Sequence, residues 1–183
     1  MTKRRRVFRI MVIGSLATVA TGCPCIPPET VSYVDLARYA GKWYEIAKYP
    51  VFFERGLVGV TAEYTLLGDG SVRVVNRGFR GTFDGPEARI EGKATVADSQ
   101  TNAKLVVQFG PIPLNLLGPN YWIIDLGEDY EYAVVSDGSR STLWILSRTP
   151  QMDEALYNDI VQRLAQRGFD IDRLEPMPQP TEN

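Results

Sequence analysis

The chain has 183 residues, 20 basic and 22 acidic side chains, a net charge of −2 and no histidine. That length suits one domain with a full core, and the charge balance argues against nucleic acid as a partner. Without histidine, Ser-His-Asp and Cys-His chemistry, histidine-held haem and most zinc sites are excluded. Enzymes built on carboxylates, lysine or tyrosine stay open, but no catalytic residue, metal or cofactor is assigned.

Met1 to Arg9 carries five positive charges and no acid, and an apolar run of 11 residues, Ile10 to Ala20, follows. The run is too short to span a bilayer, and basic, then apolar, then small residues are the order of a secretory signal. Its end, Ala20-Thr21-Gly22-Cys23, resembles a bacterial lipobox, in which the cysteine is diacylated and becomes the new N-terminus. Ordinary cleavage after Thr18-Val19-Ala20, releasing a soluble protein, is the competing route. On the favoured route residues 1–22 are a lipoprotein signal peptide and Cys23 is the lipidation site. Residues 23–34 are then a lipid-anchored linker stiffened by Pro24, Pro27 and Pro28. With about 0.8 kcal/mol per buried CH2, a triacylated cysteine holds the chain firmly on a membrane. Pro24, standing where an inner-membrane retention signal has aspartate, favours the outer membrane, on a face the sequence does not decide. Losing the five leader charges takes the net charge from −2 to −7, which argues against docking on anionic lipid by charge alone. Cys23 and Cys25 are the only cysteines and lie too close to staple a domain; Cys25 has no assigned role.

From Trp43 to Arg148, β-rich runs alternate with turn residues, predicting eight strands at 42–48, 58–67, 71–80, 88–97, 103–109, 120–126, 130–136 and 142–148. Eight strands close into a barrel wide enough for one small ligand. The connections at 68–70, 98–102 and 127–129 are short and polar; those at 49–57, 81–87 and 110–119 are longer. In an up-and-down barrel successive hairpins point to opposite ends, so tight turns gather at a closed base and long loops at an open mouth. Pro150 stops the pairing. Met152, Leu156, Ile160 and Leu164 then recur every fourth residue, predicting an amphipathic helix that ends at Gly168 and packs outside the barrel. The fold expected is all-β, an eight-stranded antiparallel up-and-down barrel with a C-terminal helix. The domain runs over 35–175, followed by a flexible tail, 176–183, rich in proline and polar residues.

Several runs together resemble the bacterial lipocalins, the outer-membrane lipoprotein branch that is similar to vertebrate apolipoprotein D. They are Gly41-Lys42-Trp43-Tyr44-Glu45-Ile46-Ala47, Thr61 to Leu66, Val74 to Gly78, Ile90 to Ala94, Leu143 to Pro150 and Gly168-Phe169-Asp170. The likeness covers residues 35 to 175. The second family motif resembles Thr-Asp-Tyr, and Val135-Ser136-Asp137-Gly138 is read in its place as a departure.

The resemblance implies that Gly41, Trp43 and Arg148 close the barrel base, with the guanidinium over the indole contributing roughly 1–2 kcal/mol. Alternation then turns Glu45, Ala47, Trp144 and Leu146 inward with them. By the same resemblance Tyr64, Asn76, Arg80 and Trp144 match positions lining the apolipoprotein D pocket, an aromatic wall with a few polar anchors. Arg80 is either an anchor for a carboxylate or phosphate head or a rim charge in solvent. The aliphatic loop 110–117 is either a lid or a membrane contact. The implied function is an envelope lipoprotein binding or carrying fatty acids, lysophospholipids or similar ligands for membrane storage, transport or repair. The rivals are a lipocalin-fold enzyme using Glu45 with Tyr64 or Tyr121, and a scaffold whose barrel is filled by its own side chains. Oligomeric state is not readable.

Overall fold

The computed structural model describes residues 26–110 and 118–181. The leader, both cysteines and nearly all of the 110–117 loop lie outside them. Eight strands, β1 (Gly41–Lys48), β2 (Leu57–Leu66), β3 (Val72–Arg80), β4 (Glu87–Val96), β5 (Lys104–Phe109), β6 (Tyr121–Leu126), β7 (Tyr132–Ser136) and β8 (Leu143–Ser147), pair antiparallel in sequence order. β1 pairs with both β2 and β8, which closes the barrel. Strand ends differ from the sequence expectation by two residues at most. The largest difference is the start of β7, where Tyr130 adopts a left-handed φ of 60° and belongs to the turn.

A short helix, α1 (Leu36–Tyr39), crosses beneath the barrel, its start capped by Asp35, whose carboxylate accepts from the N–H groups of Ala37 and Arg38. The segment ahead of it is bound to the barrel as well. Val31 N–H donates to Ile123 at 3.0 Å, Val34 N–H to Thr101 at 2.7 Å, and Val34 is fully buried. The expected linker therefore gives way to barrel contacts well before residue 35.

Two apolar clusters share the barrel wall, as alternation along strands dictates. The inner one fills the lower barrel with Trp43, Val72, Val74, Leu105, Ile123 and Ala133. The outer one packs Val134, Ile145 and Tyr132 of the wall against Ile160 and Leu164 of α2 (Glu154–Gln166). Asp153 caps the helix start by accepting from Leu156 N–H. At its end Gly168, with φ 78°, lets its own N–H reach Ala165 and that of Phe169 reach Leu164. This paired turn seats Phe169 in the outer cluster.

The base is held by Arg148. Its guanidinium lies 3.8 Å above the Trp43 ring centroid and donates to four carbonyls, those of Arg38, Tyr39, Lys42 and Tyr130. Trp43 Nε1 donates to Tyr39 at 2.9 Å. Gly41 has φ 99°, and a Cβ there would stand 3.2 Å from Arg148 Nη1, so both conformation and space call for glycine. Tyr130, in the β6–β7 turn, accepts from Asp35 N–H and lies under Arg38. Val135 to Gly138, read in place of the second motif, lies at the opposite end of the barrel, where β7 runs into the β7–β8 loop.

Two sequence expectations are corrected where β1 leaves β2. The β1–β8 register shifts between Glu45 and Ala47, so Glu45 opposes Leu146 inside while Ala47 opposes Ile145 and joins the outer cluster. Beyond Tyr44, β1 no longer pairs with β2, and the chain end enters the gap. A two-residue strand, β9 (Glu175–Pro176), pairs with β1, Met177 N–H donates to Ile46, and Gly59 N–H donates to Pro178. Gln179 Nε2 donates to both Glu45 and Val60 carbonyls at 2.8 Å, bridging the two diverging strands. With Met177 only 6% exposed, the segment read as a flexible tail is part of the wall up to Gln179.

Two measurements check these contacts. Arg148→Lys keeps the charge and loses the planar fork, so urea unfolding should register a loss of about 2–3 kcal/mol at an unchanged m-value. Gln179→Ala leaves two wall carbonyls without their donor and should cost about 1–3 kcal/mol in the same assay, whereas a freely frayed tail would give no change.

Candidate functional site

Above the base the barrel encloses a cavity of about 330 Å³, within the range of small-molecule sites. Its walls come from seven strands. Thr61, Ala62 and Tyr64 face it from β2, Val74 and Asn76 from β3, Val107 and Phe109 from β5, and Val135, Trp144 and Leu146 from β7 and β8. Phe53 and Glu54 reach in from a 3-10 turn, Phe52–Glu54, between β1 and β2. The barrel is therefore not filled by its own side chains.

The structure brings Tyr64, Asn76 and Trp144 into this lining and leaves Arg80 outside it, exposed at the mouth end of β3. β3 ends there, so the alternation that turns Asn76 and Gly78 inward carries Arg80 past the rim. Sequence reasoning missed Glu54 because a three-residue turn has no period to read. The signal available was a lone carboxylate among Val51, Phe52 and Phe53.

The floor is a chain of phenols. Tyr121 Oη lies 2.7 Å from Tyr39 Oη and 2.9 Å from Tyr64 Oη. Burial pushes Tyr64 up to about 12 and raises Tyr39 and Tyr121 well above the usual phenol range. All three stay neutral at physiological pH, where a tyrosine base or nucleophile needs a lowered value. At the mouth Asp137 organises the β7–β8 loop, accepting from the backbone N–H groups of Ser139, Ser141 and Thr142. Burial alone raises its carboxyl, but these donors and the three side-chain hydroxyls outweigh burial and hold it at about 2.

Glu45 and Glu54 are the charged side chains of the wall that stand most apart from ordinary behaviour. They are 4% and 8% exposed. Burial raises Glu45 well above the carboxylate range, and the neighbouring Glu54 raises it further against the pull of Lys48. Burial also raises Glu54, opposed by Lys48 and the Trp144 indole N–H. Two carboxyls this close and this dry retain a proton between them at pH values where free glutamates are ionised.

An eight-stranded antiparallel barrel with a helix on its flank, a base closed by arginine over tryptophan and an apolar cup above it defines a ligand-binding β-barrel. The model of the Lipocalin-like domain matches residues 34–179, and the chain belongs to the lipocalin family. It is 39% identical over 156 residues to temperature-induced lipocalin-1 of Arabidopsis thaliana, covering 82% of each chain. It is 36% identical over 176 residues to the outer membrane lipoprotein Blc of Vibrio cholerae, covering 93% of this chain and 96% of that one. Mouse apolipoprotein D is 33% identical over 187 residues, covering 92% and 93%. Insecticyanin from the tobacco hornworm shares the fold with a TM-score of 0.64 at 20% identity, covering 86% of each chain.

The carboxyl pair sets a pH dependence. A carboxyl whose folded value is raised binds more protons folded than unfolded. Its contribution is then most favourable below the unfolded value and is lost as pH rises through the folded one. Stability should therefore fall as pH rises above the unfolded glutamate value near 4.3, since both carboxyls are raised in the folded chain. Glu45→Gln should flatten that slope, checked by urea midpoints along that rise; an unchanged slope would place the titrating group elsewhere.

Proposed function

We propose that this lipocalin is anchored in the outer membrane through Cys23, after removal of residues 1–22, and binds one single-chain lipid in its barrel. Fatty acids and lysophospholipids are the ligand classes put forward, carried for membrane storage, transport or repair. The observation that carries this reading is the cavity itself. Val74, Val107, Phe109, Val135 and Leu146 supply apolar wall, and Tyr64, Asn76 and Trp144 supply a few polar or amphipathic contacts, the composition by which apolar ligands are held and oriented. The outer-membrane assignment is supported by the relatives named outer membrane lipoprotein Blc and by the lipobox-like run ending at Cys23. A carrier rather than a catalyst is supported by the phenols held neutral in the floor.

Native mass spectrometry of protein purified from bacteria is expected to find about one acyl lipid per chain, reduced at least tenfold in Trp144→Ala. A wild-type barrel that is empty, and whose tryptophan fluorescence answers neither fatty acid nor lysophospholipid, would overturn the lipid-binding reading. Intact mass of the membrane-bound form tests the anchor: acylation at Cys23 is expected, and a soluble product beginning at Thr21 would reject it.

A further inference from the structure

Glu45 Oε1, Glu54 Oε2 and Asn76 Oδ1 are each buried and without a hydrogen-bond partner, and all three residues line the cavity. Glu45 and Glu54 are themselves more than nine-tenths buried. Of the nearby donors, the Trp144 indole N–H serves Glu54 and still leaves its Oε2 unpartnered. The Tyr64 hydroxyl is tied to Tyr121, and Lys48, 6% exposed, draws on both carboxyls from a distance while its ammonium reaches Glu175 at 3.4 Å. Orphaned acceptors in a dry wall are costly unless something supplies hydrogens to them.

We infer that the wall formed by Glu45, Glu54 and Asn76 is a subsite for the primary ammonium head of a single-chain amphiphile. This rests on the lipid-binding reading and specifies its head group. An ammonium brings three donors and no acceptor, which matches three acceptor oxygens with no donor. A carboxylate head brings only acceptors, so a fatty acid would have to seat its head away from this wall. The aliphatic chain then runs along Val74, Val107, Phe109 and Leu146. The ammonium has two sources, a free long-chain amine or the ethanolamine head of a lysophospholipid.

The test is displacement of N-phenyl-1-naphthylamine from the full chain at pH 7 by matched ligands with twelve-carbon chains. Dodecylamine is compared with lauric acid, and lauroyl lysophosphatidylethanolamine with its lysophosphatidylglycerol counterpart. Dodecanol reports the apolar cup alone. At least one amine should bind tenfold or more tighter than its amine-free partner, and the pair that shows the gap identifies the source. In Glu45→Gln the gap should shrink to threefold or less while dodecanol binds as before. Glu54→Gln gives the same readout if the first variant does not fold. Binding of dodecanol with no advantage for either amine, or a gap unchanged in both variants, overturns the subsite and leaves the lipid cup standing. Failure of every ligand including dodecanol overturns both.

Discussion

The structure hangs on one guanidinium. Arg148 follows the last barrel strand and reaches under Trp43 of the first, donating to carbonyls from α1, β1 and the β6–β7 turn. An up-and-down barrel is closed by pairing its two sequence-distant ends, and that pairing fixes chain separated by a hundred residues. A hydrophobic contact alone would not orient those carbonyls, whereas a planar fork with five donors can hold several in one geometry. With the base fixed as a dry plug of Tyr39, Trp43 and Arg148, the opposite end is free to stay open. An apolar cavity in a protein of this size is possible because the core below it is complete.

The cavity also depends on where the wall parts. β1 and β2 pair only from Gly41 to Tyr44 and then diverge, with the register shift past Glu45 turning the rest of β1 outward. A simple barrel would leave that gap as two unpaired edges. Here residues 175 to 179 fill it, and Gln179 binds both edges at once. The parting lets the Phe52–Glu54 turn lean inward and bring Glu54 beside Glu45. The same irregularity that calls for a C-terminal wedge thus creates the polar corner of the cup.

Much of this was legible in the sequence, for identifiable reasons. β-rich runs bounded by turn residues located the eight strands, because the turns between them are marked by glycine, aspartate and asparagine. The stripe from Met152 to Leu164 located α2, and the contrast between tight and long connections distinguished base from mouth. Alternation failed at Ala47 because a bulge shifts the period by one without leaving a mark in composition. The start of β7 shifts because Tyr130, a strand former by composition, is the left-handed end of a turn. The C-terminal segment, Pro176-Met177-Pro178-Gln179-Pro180, has the composition of a frayed tail. It is ordered by a gap made some 130 residues earlier, and local reading has no access to such a gap. Glu54 stands in a three-residue turn with no period to read, and its setting is completed by Glu45, which lines the same cavity.

A chain under selection for stability alone would replace the Glu45–Glu54 pair with glutamine or an apolar residue, since buried carboxyls with unpartnered oxygens are a net cost. Places where local rules are broken at no evident structural gain are where function is expected to reside. Trp43, Arg148 and Gly41 obey the local rules and keep the barrel shut; Glu45 and Glu54 break them and face the space that the barrel encloses. A ligand that satisfies those oxygens recovers free energy that the empty protein forgoes, so occupancy and stability rise together.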